Sequence, residues 1–151
     1  RSIVNGLPGF GFSDRPGKPW EGVDYVDARN SDYNIDLADG LGQFRDRPSL
    51  HQAASLSGIP GKIDVSGDSV AQMWMDGQLP EILAYNEFDA FTTHLLWARM
   101  AHFSGLLSSS HYDREQQLVR ELLETEIANG KEHLVRFVNE WDRLLAITGQ
   151  D

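Results

Sequence analysis

Tyr85 and Asp89 are the residues whose types and spacing point most directly to chemistry. In a helix, residues four apart project from the same side, so this phenol and this carboxylate would be neighbours. A carboxylate can hold a divalent metal ion, and a hydroxyl group can orient an attacking water molecule, as metal-assisted phosphodiester hydrolysis requires. The spacing alone occurs easily by chance, and a solvated pair on a helix surface is the alternative interpretation.

A long helix is predicted to carry this pair. Between about residues 80 and 103, apolar residues recur at steps of three and four, which indicates one buried helical face. The residues of this face are Ala84, Phe88, Phe91, Leu95 and Ala98. Pro80 suits the first turn, where the N–H group that proline lacks would have no helical partner. Tyr85 and Asp89 lie beside this apolar stripe, where side chains could line an active site.

Other helices are expected around the long one, because the pattern is helical from residue 48 onward. Ser49 is a good N-cap, Gly58 ends the helix that Ser49 begins, and Ser69 is expected to cap a helix that ends at Gly77. Two more amphipathic helices follow, with Asn129 and Gly130 between them. Their apolar residues are Leu118, Val119, Leu122, Leu123 and Ile127 in the first, and Leu134, Phe137, Val138, Trp141, Leu144 and Leu145 in the second.

Residues 1–47 have a different character. Glycine, proline and aspartate dominate residues 5–32 and predict a long loop, and residues 33–37 alternate polar and apolar side chains as a short strand would. A short helix is expected over residues 38–44. Asp36 and Asp39 could supply carboxylate ligands at the end of the strand, but we favour Asp36 as the cap of the helix that follows. A single strand needs partners, so its sheet is expected upstream.

The sequence around Tyr85 and Asp89 resembles that of a known family, the predicted 3'-5' exonucleases related to the proofreading domain of family-B DNA polymerases. The resemblance spans nearly the whole chain and is most specific over residues 56–93. It rests on these residues of the sequence: Gly58, Ile59, Pro60, Gly61, Lys62, Val70, Trp74, Gly77, Ile82, Tyr85, Glu87, Asp89 and Thr92, with Asp36, Leu37, Ala38 and Asp39 upstream.

The resemblance implies an α/β, ribonuclease H-like fold and a site of four acids plus a tyrosine, the DEDDy class, which binds two Mg²⁺ or Mn²⁺ ions. In that scheme Asp89 is a metal ligand and Tyr85 positions the attacking water. The first two acidic motifs of the family would precede Arg1. Residues 1–151 are therefore expected to be the C-terminal portion of one exonuclease domain, with a loop-rich part over 1–47 and a helical part over 48–151, inactive by itself.

Charge and composition limit the possible partners. The net charge is −10, and residues 63–151 hold 6 basic against 15 acidic residues, whereas residues 1–62 hold 7 against 8. A polyanion would therefore approach the first part of the chain. Basic and aromatic residues there, such as Arg29, Lys62 and Trp20, could contact phosphates or bases, or simply face solvent. There is no cysteine and no apolar run long enough to cross a membrane, and we predict a soluble, cytoplasmic protein.

Three functional hypotheses follow. The first is a 3'-5' exonuclease that acts on single-stranded DNA. The second is a non-catalytic helical module that binds partners, and the third is an exonuclease that acts on RNA. No motif predicts a rival metal site, because His94 and His102 lie eight residues apart and are expected to pack or face solvent. Apolar surface left exposed would favour a homo-oligomer or a complementing N-terminal fragment as partner.

Overall fold

The computed structural model describes residues 30–31, 34–42, 47–61 and 69–148. The chain divides into two compact units, Arg1–Arg47 and Pro48–Asp151. In the first unit, strands β1 (Asn30–Ser31) and β2 (Asn34–Ile35) pair antiparallel, and helix α1 (Leu37–Gly42) follows. Together these elements form a small ribbon and a short helix.

The expected ribonuclease H-like α/β fold is wrong for the part of the chain that the structure describes. That part is mainly helical, and its strands are two residues each, too short to build a sheet core. The strand predicted over residues 33–37 is found at Asn34–Ile35, and it ends early for a local reason. The Asp36 carboxylate accepts hydrogen bonds from the N–H groups of Ala38 (3.0 Å) and Asp39 (3.3 Å), so a helix begins at Leu37.

The second unit contains five described helices. They are α2 (Leu50–Leu56), α3 (Val70–Met75), α4 (Leu79–Phe103), α5 (Ser109–Ala128) and α6 (Leu134–Thr148). Helix α4 contacts each of the other four, and α5 also contacts α6. The long central helix that was predicted from periodicity is confirmed, and the rest of this unit packs around it.

Local signals explain where several helices begin and end. The Ser49 hydroxyl accepts a hydrogen bond from the Gln52 N–H group, and the Gln52 side chain accepts one from the Ser49 N–H group, which together form a capping box. The expected cap at Ser69 makes no such side-chain bond. Gly77 follows α3 with φ of 73°, a left-handed conformation that glycine adopts without strain.

Aromatic packing forms the centre of the second unit. Phe137 of α6 is fully buried and lies 5.9 Å from the ring of Phe88 and 5.7 Å from the ring of Phe91, both on α4. Leu123 of α5 and Leu134 of α6 are also fully buried. These contacts hold one side of α4 against α5 and α6. Within the described residues, each helix is too short or too polar to cross a membrane.

Candidate active site on helix α4

Tyr85 and Asp89 lie on the first half of α4, four residues apart, and both are half-buried. The two side chains interact, as their spacing predicted. A hydrogen bond to the Asp89 carboxylate is the largest cause of a raised Tyr85 pKa, followed by burial and by the charge of Asp89. The structure therefore brings together the phenol and the carboxylate that the sequence singled out.

The direction of this shift limits what Tyr85 can do. Its pKa lies above the ordinary value of 10.0, so the phenol is protonated at neutral pH. A protonated phenol donates one hydrogen bond and can accept others, but it does not serve as a general base. Tyr85 is thus suited to orient a water molecule or an oxygen atom beside Asp89.

A buried hydrogen bond anchors a turn of the chain next to this pair. The Thr92 hydroxyl donates to the carbonyl oxygen of Pro60 at 2.8 Å, and Thr92 is only 2% exposed. Residues 58–61 form the turn that follows α2, and all four are buried. Thr92 lies three residues after Asp89, so the end of the turn is held about one helical turn from the carboxylate.

The described residues do not by themselves make a metal centre. No group of three or more histidine, aspartate or glutamate side chains within them could hold a metal ion. Asp89 supplies one carboxylate, and a two-ion site needs several. Any ion bound at Asp89 would require ligands from outside the described part of the chain or from a second polypeptide.

Other residues considered from sequence have structural roles in the described regions. Asp36 caps α1, as favoured, and Asp39 pairs with Arg47 at 2.5 Å. The Nε2 atom of His94 lies 3.2 Å from Glu115, and His102 stacks on Tyr112 with ring centroids 4.8 Å apart. Arg29, Lys62 and Trp20, suggested as contacts to nucleic acid, lie outside the described residues.

A polar network on the other side of α4 was not expected from sequence. Glu87 contacts the Lys131 Nζ atom at 2.8 Å and the His133 Nε2 atom at 2.6 Å, and Lys131 also contacts Glu126 at 2.7 Å. The hydrogen bond from Lys131 is the largest of the causes that lower the pKa of Glu87. The resemblance drew attention to Glu87, but its partners are 44 and 46 residues away in sequence, and no local pattern indicates them.

Glu87, Glu126 and Lys131 of this network also line a groove between α4 and α5 of about 520 Å³. Its floor is apolar and includes Phe91, Leu118 and Leu122. Residues 87 and 89 point about 160° apart on an α-helix, because each residue adds about 100°. The groove and the Tyr85–Asp89 pair therefore occupy different faces of α4 and are separate features.

A Tyr-x-x-x-Asp pair on a helix, beside an anchored turn, does not by itself define a class of enzyme. Comparison with family models gives a more specific result. Residues 1–141 match the family described as predicted 3'-5' exonuclease related to the exonuclease domain of PolB. The chain belongs to this family, which confirms the resemblance drawn from its sequence. Searches of curated proteins and of solved structures each found no match to the chain.

Proposed function

We propose that this chain takes part in the 3'-5' exonucleolytic degradation of single-stranded DNA by metal-dependent hydrolysis. The observation that carries the proposal is the Tyr85–Asp89 pair on α4, in a chain that belongs to a family of predicted 3'-5' exonucleases. Asp89 is the proposed ligand for Mg²⁺ or Mn²⁺. Tyr85 is proposed to position the attacking water, a role that its protonated hydroxyl allows.

The proposed site is incomplete within the described residues. Two ions would need carboxylates in addition to Asp89, and we propose that a complementing N-terminal fragment or a longer polypeptide supplies them. The 151-residue chain alone is then expected to show no turnover. We also propose that a second copy of the chain could be its partner, in a homo-oligomer. A cytoplasmic location stays a prediction.

The experiment compares the chain alone with the chain extended in its own reading frame upstream of Arg1, on a 5'-labelled single-stranded DNA oligonucleotide with Mn²⁺. The extended protein should shorten the strand from its 3' end. Asp89→Ala should lower this activity by about 100-fold or more, and Tyr85→Phe by about 100-fold. The matched control is Asn86→Ala, because Asn86 is exposed on the same helix. An upstream frame without an Asp-x-Glu strand and a later Asp would contradict the proposal.

Two alternatives give different outcomes in the same assay. An exoribonuclease would degrade a matched RNA oligonucleotide faster than the DNA. A non-catalytic helical module, which the single carboxylate at Asp89 motivates, would show no turnover in the extended protein and no change in Mn²⁺ binding on Asp89→Ala. Calorimetric titration with Mn²⁺ therefore distinguishes a non-catalytic module from an enzyme.

A further inference from the structure

The groove between α4 and α5 is a place where apolar side chains of both helices reach the surface. On α5, Val119 and Leu123 are buried, whereas Leu118 is 41% exposed and Leu122 is 49% exposed. Phe91 of α4 is half-buried and lines the groove together with these two leucines. The apolar stripe of α5 is therefore wider than the face that its described neighbours cover.

The shape of the groove suits a helix. Its lining residues on α5 extend from Glu115 to Glu126, a length of about 17 Å at about 1.5 Å per residue. On each helix, lining residues lie at i, i+3, i+4 and i+7, beginning at Glu87 on α4 and at Glu115 on α5. An amphipathic helix of about three turns places apolar residues at the same spacing into a groove of this kind.

The rim of the groove is acidic. Glu87, Glu115 and Glu126 line it, and Lys131 contacts Glu87 at 2.8 Å and Glu126 at 2.7 Å. His94 lies 3.2 Å from Glu115. With His94 counted as neutral, three carboxylates against one ammonium group leave the described lining of the groove with a net charge of −2. The carboxylates of Glu115 and Glu126 lie toward opposite ends of the groove along α5.

This charge selects among the possible occupants. A polyanion would be repelled by the acidic rim, and so would a second copy of a chain whose net charge is −10. A basic segment would be attracted, because its cations would meet a carboxylate at either end of the groove. The apolar floor requires that the same segment also carry large apolar side chains along one face.

We propose that the groove docks a basic amphipathic helix of another protein. The apolar face of that helix packs against Phe91, Leu118 and Leu122, and its lysine or arginine side chains lie next to Glu115 and Glu126. The inference goes beyond the proposed function and does not depend on it, because the groove and the Tyr85–Asp89 pair occupy different faces of α4.

The test measures binding of a labelled synthetic peptide to the 151-residue chain by fluorescence anisotropy. The peptide has about 14 residues, with leucines at i, i+3, i+4 and i+7 and lysines at the flanking positions. One comparison peptide has the same composition in scrambled order, and the other has glutamate in place of lysine. We expect the lysine peptide to bind about tenfold or more tightly than either comparison peptide. Equal binding of any two of them would overturn the inference.

Substitutions in the chain locate the bound peptide. The double variant Leu118→Ala and Leu122→Ala keeps every charge and should weaken binding of the lysine peptide about tenfold or more. Its control is Ile147→Ala, because Ile147 is 68% exposed on α6 and does not line the groove. Glu115→Gln should weaken binding about twofold to fivefold, whereas Glu124→Gln, at an exposed position of α5, should not.

Circular dichroism monitors folding of each variant, and the peptide comparisons use the unsubstituted chain, so they decide the question even if a variant does not fold. Unchanged binding in either groove variant would overturn the inference. Two results would assign the groove to another occupant and so overturn it as well. One is self-association, measured by light scattering, that the double leucine variant abolishes while the lysine peptide does not bind. The other is binding that disappears when the chain is extended upstream of Arg1, which would show that the upstream segment fills the groove.

Discussion

Asp89 raises the pKa of Tyr85 through a hydrogen bond and through its negative charge. We predict that Asp89→Ala brings the Tyr85 pKa down toward its ordinary value, because both effects favour the protonated phenol. Partial burial remains in the variant, so part of the increase should persist. The measurement is a titration of phenolate absorbance, with Tyr85→Phe subtracted to isolate Tyr85. Asn86→Ala should leave the titration unchanged, and an unchanged pKa in Asp89→Ala would show that the two groups are not coupled.

Glu87 is one of the residues through which charge stabilises the second unit. Lys131 and His133 lower its pKa from an ordinary value near 4.5. The stabilisation is therefore fully present above that value and is lost as pH falls through the lower, folded-state pKa. We predict that Glu87→Gln lowers the free energy of unfolding by about 1 kcal/mol at neutral pH, measured by urea denaturation.

Urea denaturation repeated in acid tests the predicted direction of this pH dependence. In acid, the difference between Glu87→Gln and the unsubstituted protein should shrink, because the wild-type carboxyl is then also neutral. Glu124→Gln, at an exposed position of α5, serves as the control and should have little effect at either pH. A difference that grows as pH falls would contradict this account of Glu87.

At the scale of the helices, Leu122 and Leu123 of α5 offer a matched comparison. Leu123 is fully buried, whereas its neighbour Leu122 is 49% exposed. We predict that Leu123→Ala lowers the free energy of unfolding by about 2–5 kcal/mol, because it leaves a cavity between α5 and its neighbours. Leu122→Ala should cost less than about 1 kcal/mol. If denaturation shows similar losses of unfolding free energy for the two variants, then α5 does not bury the face that carries Leu123.

The helices were predictable because their signals are local. The capping residue Ser49 and the spacing of Phe88 and Leu95 act within a few residues, and both predictions are confirmed. The strand predicted over residues 33–37 is shorter than expected, because alternation over five residues is a weak signal that one capping carboxylate, Asp36, outweighs. The bond between Thr92 and Pro60 could not be predicted, since it depends on how α2 and α4 pack. The Tyr85–Asp89 pair followed from helical spacing, whereas its catalytic role stays a prediction.

For the whole molecule, exposed apolar surface is the property most relevant to association. Trp74 is 67% exposed and Met75 71% exposed on α3, and Phe103 at the end of α4 is 93% exposed. Large apolar side chains in water favour contacts with another surface. We predict that the chain self-associates at high concentration, with a rise in average mass measured by light scattering.

Trp74→Gln and Phe103→Gln distinguish α3 from the C-terminal end of α4 as the cause of this association. The variant that removes the contact should stay at monomer mass at concentrations where the unsubstituted chain does not. High salt should strengthen the association, because the chain carries a net charge of −10 that opposes it. A mass equal to that of a monomer throughout would contradict the prediction.

The central position of α4 also has a consequence for folding kinetics. In the second unit, many contacts link helices that follow one another in sequence, α3 with α4, α4 with α5 and α5 with α6, and α4 also contacts α2 and α6. Loops that close such contacts are short, so little chain entropy must be lost before the contacts form. Helical proteins with local contacts fold in microseconds to milliseconds. We therefore expect residues 48–148 to regain their helical signal within about the first milliseconds of dilution from denaturant, as stopped-flow circular dichroism would measure.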